Sequence, residues 1–302
     1  MAKPVHRPRI KTGMRAGKAA GRILDANIAN LREHAPAAMI GDVTGIRDLR
    51  VAVKRLRESM NLFRRLLPAK RRQRVMPLVE MLNDSLGQVR ECDVLRLDAA
   101  TLAREIEDDG GLLDLADSAW RVRREEAFED LLGLWSELTS WGLLEALDEI
   151  AKRTSKRRRR SNQLDLDRFA YDAIRRAVNR VDSKLGPALE SDHPARLHDV
   201  RIALKRLKYS IEPFRPVLPA LNEPRKIVAG AQEILGTAHD IDVMREQLAD
   251  HFGAIPPDAS PTAESVLRLL DERRGDFYAR SRQAIAIFAG PEFKTVLLAA
   301  VD

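Results

Sequence analysis

RLHDVRIALKRLKYSIEPF, residues Arg196 to Phe214, is the stretch from which this sequence is best read. At a helical period of 3.6 residues, His198, Arg201, Lys205 and Lys208 fall within about a quarter turn, while Leu197, Val200, Leu204, Leu207 and Ile211 share the opposite side. One face is cationic and the other apolar. A near copy, GIRDLRVAVKRLRESMNLF, runs from Gly45 to Phe63. It sets Arg47, Arg50, Lys54 and Arg57 against Leu49, Val53, Leu56, Met60 and Phe63.

Aligned without a gap, the copies pair Arg47 with His198, Arg50 with Arg201, Lys54 with Lys205 and Arg55 with Arg206, at a constant offset of 151 residues. A second pair follows: LGQVRECDV, Leu86 to Val94, matches LGTAHDIDV, Leu235 to Val243, which puts Arg90 against His239 and Asp93 against Asp242. An internal duplication of about 150 residues is the simplest account.

The paired signature helix, followed some forty residues later by LG-x-x-(H/R)-(D/E)-x-DV, resembles the CHAD family, the conserved histidine α-helical domain. The likeness covers about residues 17 to 290. Repeat one departs from the pattern, with Arg47 and Arg90 where the family's histidines would stand; the positive charge is kept and the imidazole is lost. The resemblance implies a stand-alone member that binds inorganic polyphosphate and gathers at polyphosphate granules.

Composition agrees with a helical protein. The chain has 302 residues, 44% apolar and 32% charged, with Leu, Ala, Arg and Glu prominent and few aromatics. No run alternates in the manner of a strand, so the fold class is all-α: two four-helix units related by duplication and pseudo-twofold symmetry. The 52 Lys and Arg and 45 Asp and Glu give a net charge of +7, and acids gather between Glu105 and Glu149, outside the signature stretches. Such segregation points to a polyanion as partner. Cys92 is the only cysteine, which excludes an intrachain disulfide and a Cys-rich zinc site. No secretory signal or membrane-spanning run is legible, so the expected location is the cytoplasm.

The chain divides into a basic arm over residues 1–16, repeat one over 17–151, a basic linker over 152–163 and repeat two over 164–302. In repeat one, a helix from Gly17 should stop at Pro36. The signature helix should start at Thr44 as N-cap and end at Leu67 and Pro68. A third helix from Ala69 should bury Leu78, Met81, Leu82 and Leu86 and bend at Pro77. Residues 112–151 read as one long helix or a broken pair, with Trp120, Phe128, Leu131, Leu134, Trp135, Trp141 and Leu144 as core candidates. In repeat two, Gly186-Pro187 should stop the first helix, and Ser260 or Thr262 should cap the last long one. The linker KRTSKRRRRSNQ reads either as a solvated charged segment or as an auxiliary clamp for a polyanion.

The candidate site is the set of cations on the signature stretches: Arg47, Arg50, Lys54, Arg55, Arg57 and Arg90, with His198, Arg201, Lys205, Arg206, Lys208 and His239. These side chains are donors with no nucleophile beside them, a set suited to holding phosphate oxygens. Four donors along about 15 Å of helix match successive phosphates of an extended chain. Asp48, Glu58, Asp199 and Glu212 are the only acids beside them, so a solvated face laced with ion pairs is the bland alternative. Asp93 and Asp242 read as structural, orienting cations or capping helices.

Two other functions compete with polyphosphate binding. A nucleic-acid binder shares the electrostatics, but Tyr209 is the only aromatic near the basic face, too few for base stacking. His198-Asp199 and His239-Asp240 could instead hold metal for phosphoester hydrolysis, yet Arg47 and Arg90 at the matching places cannot be ordinary ligands. No phosphate-binding glycine loop or nucleophile elbow is present. The expectation is therefore a non-enzymatic protein without a cofactor or bound metal.

Overall fold

The apolar stripe of the second signature stretch is buried along its length, and so is that of the first, from Leu49 to Phe63. Stripes of this kind need facing helices, and the computed structural model supplies them. It describes residues 5–106, 111–190, 194–253 and 261–301. Among these lie ten α-helices and no strand. The first five are α1 (Ala16–Met39), α2 (Val43–Leu62), α3 (Ala69–Ile106), α4 (Leu112–Ser140) and α5 (Leu143–Lys156). The others are α6 (Leu166–Leu189), α7 (Pro194–Ile211), α8 (Asn222–Phe252), α9 (Pro261–Ala286) and α10 (Pro291–Ala299). Each half therefore has five helices where the sequence suggests four. The additions are the separate α5, cut from α4 at the left-handed Gly142 (φ 72°), and the short α10.

Neighbours follow one order in both halves. α1 packs on α2, α2 on α3 and α3 on α4, with α5 against α1 and α3; α6 packs on α7, α7 on α8 and α8 on α9, with α10 against α6 and α8. The halves meet where α2 touches α7. Phe63 and Phe214, which close the two signature stretches, meet edge to face at 6.2 Å, with Phe169 of α6 against both. Each such buried side chain contributes roughly 1.5–3 kcal/mol.

Two apolar clusters result. The larger runs through α1, α2, α6 and α7 and takes in α3 as far as Val89 and α8 as far as Leu235. The smaller joins the far ends of α3 and α8 to α4 and α9, through Leu95, Leu102, Trp120, Met244, Leu248 and Phe252. Along α3 and α8 the polar turns bearing Arg90 and Asp93, and His239 and Asp242, lie between them.

Several boundaries differ from the sequence reading. Pro36 and Pro187 lie inside α1 and α6, which run on to Met39 and Leu189. A proline in the last turn forfeits a single backbone bond, and burial of Ala38 and Ala188 beyond it keeps the turn helical. Gly41 (φ 80°) ends the connection after α1. Asp42, not Thr44, caps α2: its carboxylate accepts from the Gly45 N–H at 2.5 Å. Gly45 is required there, because a Cβ would meet the Ala37 carbonyl carbon at 2.6 Å. α2 ends at Leu62, five residues short of Leu67. Thr262 lies within α9, and Ser260 falls outside the described residues.

Burial also departs from expectation in places. Trp120 and Leu131 are core, Phe128, Leu134, Trp135 and Leu144 pack on its edge, and Trp141, at the C-cap of α4, is 61% exposed. Met81 points outward from α3. From Val5 onward the basic arm is docked: Ile10 is buried in the larger cluster, and His6 and Asn30 exchange backbone and amide hydrogen bonds. Of the basic linker, Lys152–Lys156 close α5. Beyond it the buried Asn162 donates to the Leu66 carbonyl at 3.0 Å and Arg157 to that of Leu67 at 2.8 Å.

Candidate functional site

The cationic faces of α2 and α7 are turned toward each other. At the crossing the amines of Lys54 and Lys205 stand beside each other, within strong electrostatic reach. Burial first and mutual repulsion next hold the Lys54 amine far below the ordinary lysine value, and burial lowers Lys205 as well. Arg50, one turn before Lys54, is half-buried, and its Nε has no hydrogen-bond partner. Gly87 of α3 lies beside it, an added Cβ being 3.9 Å from that nitrogen. Burial and the neighbouring Arg90 weaken the hold of Arg50 on its proton, and burial does the same to Arg201 of α7.

The second half brings its histidines together. His198 of α7 and His239 of α8 face each other with ring centroids 5.4 Å apart. With Arg201, Asp242 and Tyr278 they line a narrow cavity of about 30 Å³. Burial and Arg201 hold the His239 imidazole below its usual value. Arg50, Lys54, Arg90, His198, Arg201, Lys205 and His239 thus form one group. Among the described residues, Arg50, Lys54, Arg90, Arg201 and Lys205 have no carboxylate within ion-pair distance.

The other five predicted residues lie on the flanks of that group: Arg57 is within electrostatic reach of Arg50 and Lys205, and Lys208 of Lys54 and Lys205. Arg57 binds its neighbour Glu58 at 2.7 Å, and Arg55 lies 3.9 Å from Glu212, which Arg225 also contacts at 3.1 Å. Lys208 is 8% exposed, its amine 5.8 Å from the Tyr209 ring. Arg47 pairs with Asp48 at 2.9 Å on the outer surface, and Arg206 is exposed. The bland reading of a charge-laced face therefore describes this flank and not the centre.

Asp93 and Asp242 do not orient the signature cations. Each ties its helix to the next: Arg124 of α4 donates to Asp93 at 2.5 Å and to the Gly41 carbonyl at 2.9 Å, and Arg274 of α9 donates to Asp242 at 2.7 Å. Asp199 is engaged by Lys184 at 2.9 Å. Sequence reading missed Asp240 as the acid that the centre does contain, within electrostatic reach of Arg50, Arg90, Arg201 and His239. The HDID run around it was legible, but its dipeptide had been weighed only as a metal ligand. Arg124, Arg274 and Tyr278 were missed too, since none lies near the signature stretches in sequence.

Chemically, the centre offers donors in excess of acceptors inside a partly desolvated space. An orphaned guanidinium nitrogen and a pair of buried, mutually repelling lysines are both relieved by an anion with several oxygens. Among the described residues no three His, Cys, Asp or Glu side chains gather as metal ligands, and no helix is long and apolar enough to cross a membrane.

Comparison with known proteins agrees with this architecture. The family model for the CHAD domain matches residues 22–249. The crystal structure of the CHAD domain from the plant Ricinus communis superposes with a TM-score of 0.74 at 18% identity, covering 94% of this chain and 95% of the other. PptA from Streptomyces chartreusis superposes with a TM-score of 0.65 at 16% identity, covering 91% and 99%. At these identities the likeness speaks for the fold. No curated protein matches the sequence.

Proposed function

The chain belongs to the CHAD family, and from that premise we propose that it binds inorganic polyphosphate, without turning it over, in the space between α2, α3, α7 and α8. The observation that carries the reading is the meeting of two basic helices at Lys54 and Lys205, with Arg50, Arg90 and Arg201 around them and, among the described residues, no carboxylate within ion-pair distance of any of the five. Folding such a cluster costs desolvation and like-charge repulsion, a cost that a bound polyanion offsets. Arg and His interchange between the halves, as a site that needs positive charge tolerates and a metal site does not. The parallel order of helix neighbours and the matching Arg124–Asp93 and Arg274–Asp242 bonds support reading the halves as duplicated units about a pseudo-twofold axis. Location at polyphosphate granules follows from the same ligand.

Titration of the protein with long-chain polyphosphate tests this directly. Replacing Arg50 and Arg201 by Gln should weaken binding by at least about tenfold, because two charge-assisted contacts are lost. Unlabelled polyphosphate should displace labelled DNA far better than DNA displaces polyphosphate; the reverse order would assign the site to nucleic acid. Release of orthophosphate on adding a divalent metal would make the protein an enzyme.

A further inference from the structure

The basic linker has its own concave surface, away from the α2/α7 crossing. A cleft of about 610 Å³ opens between the end of α5 and the loop joining α2 to α3, lined by Pro68, Glu149, Lys152, Arg153, Lys156 and Arg157. Four of these six are cations. The one carboxylate, Glu149, is bonded by Arg153 and lies 3.9 Å from Arg71 at the start of α3. α5 and its C-cap residue supply these four cations, and Arg71 of α3 adds positive charge beside the hollow.

Its walls are fixed. Arg157 is anchored by its bond to the Leu67 carbonyl, and Asn162 behind it by the bond to Leu66. The negative end of the α5 dipole by itself accounts for Lys152, Arg153 and Lys156 as a solvated helix end. It does not account for Arg71, which arrives from α3, nor for the bond that holds Arg157, the C-cap residue, against the Leu67 carbonyl. The exposed Lys152 and Lys156 stand one turn apart, with Glu149 within electrostatic reach of Lys152. Burial and Arg159 also lower the guanidinium of Arg157, so the local field is positive. Arg71 and Arg90 are nineteen residues apart on α3, about 28 Å at 1.5 Å per residue, so this cleft and the crossing are separate places.

We propose that the linker cleft is a second binding site for a segment of phosphate chain, independent of the site between α2 and α7. The ligand class rests on the functional reading above; the place and the residues do not. The cleft adds a foothold outside the first site, so that a long chain could engage the protein twice and gain by effective concentration.

Calorimetric titration of the full chain with tripolyphosphate, which is too short to span both places, tests the inference. Two binding events are expected for the parent protein. Lys152→Gln with Lys156→Gln should weaken one by about tenfold and leave the other; Arg50→Gln with Arg201→Gln should do the converse. Lys152 and Lys156 are exposed, so an unchanged thermal melt should accompany the first variant. If that variant binds tripolyphosphate as the parent does, whether in one event or two, the second site is overturned and the first is untouched. If it loses an event while the Arg50/Arg201 variant loses none, the cleft stands and the reading of the α2/α7 crossing falls.

Discussion

Asp93 and Asp242 occupy matching places in the two halves, and their surroundings differ by one oxygen atom. Asp242 accepts from Arg274 at 2.7 Å through one carboxylate oxygen and from the Tyr278 hydroxyl at 2.7 Å through the other. Asp93 accepts from Arg124, but the residue at the place of Tyr278 is Phe128, and its second oxygen, Oδ2, is buried without a partner. Burial differs in the same direction: the Asp93 side chain is 2% exposed and that of Asp242 31%. The first half has therefore made this tie a dry structural clamp, which also grips the Gly41 carbonyl beside the cap of α2. The second half has left it wetter and part of the lining of the histidine cavity. A shared backbone scheme carries rigidity on one side and titratable chemistry on the other.

The largest expected effect breaks the clamp. Asp93→Ala should destabilise the protein by about 3 kcal/mol, because the nearly buried Arg124 is left with only the Gly41 carbonyl. Asp242→Ala should cost about 1–2 kcal/mol, because its ion pair is open to water and the Tyr278 bond is lost with it. Denaturant unfolding of both variants checks the contrast, and equal losses would refute the assignment of a dry and a wet tie.

Smaller effects follow at the other matched positions. Phe128→Tyr should stabilise by about 1 kcal/mol if its hydroxyl reaches the orphaned Asp93 oxygen, and Tyr278→Phe should destabilise by a similar amount. Lys54→Met should raise the thermal midpoint of the free protein, by about 1–2 kcal/mol in stability, while weakening polyphosphate binding. Lys205→Met should do the same from the opposite helix. Opposite signs for stability and binding distinguish a cation held for a ligand from one held for the fold.

The smallest effects concern pH. Lys54 binds a proton less readily in the folded chain than in the unfolded one, so stability should rise with pH from its depressed value up to about 10.5, the ordinary lysine value. A polyanion restores the proton, so affinity should fall as pH rises across that window. His239, also depressed by burial, should add a gain in affinity as pH falls below 6.5. His198→Arg with His239→Arg, which gives the second half the first half's residues, should abolish that acidic gain and keep the lysine-dependent slope. Binding isotherms between pH 5 and 9 measure both.

Much of this was legible because it is periodic. The spacing of Leu197, Val200, Leu204, Leu207 and Ile211 specified a buried stripe whatever it would pack on, and the repeated signature specified a second one. The misplaced ends have local causes. At Pro36 and Pro187 packing beyond the proline outweighed one missing bond, and Asp42 took the capping role because Gly45 lets α2 start against α1. Trp141, one of the core candidates of residues 112–151, sits instead at the C-cap of α4 and is mostly exposed.

Sequence by itself determined that the chain is helical, that each half carries a basic helix, and that the charge of that helix is kept whether Arg or His supplies it. These follow from intervals of three and four residues and from side-chain chemistry, neither of which depends on distant parts of the chain. Only the tertiary structure decided that Lys54 and Lys205 are buried beside each other, that Arg57 and Arg47 are neutralised by their own neighbours, and that Asp93 lacks the hydroxyl given to Asp242. Those outcomes depend on where helices cross and which rotamers they leave free, and residues 151 positions apart acquire a relation only when packing fixes the angle between their helices.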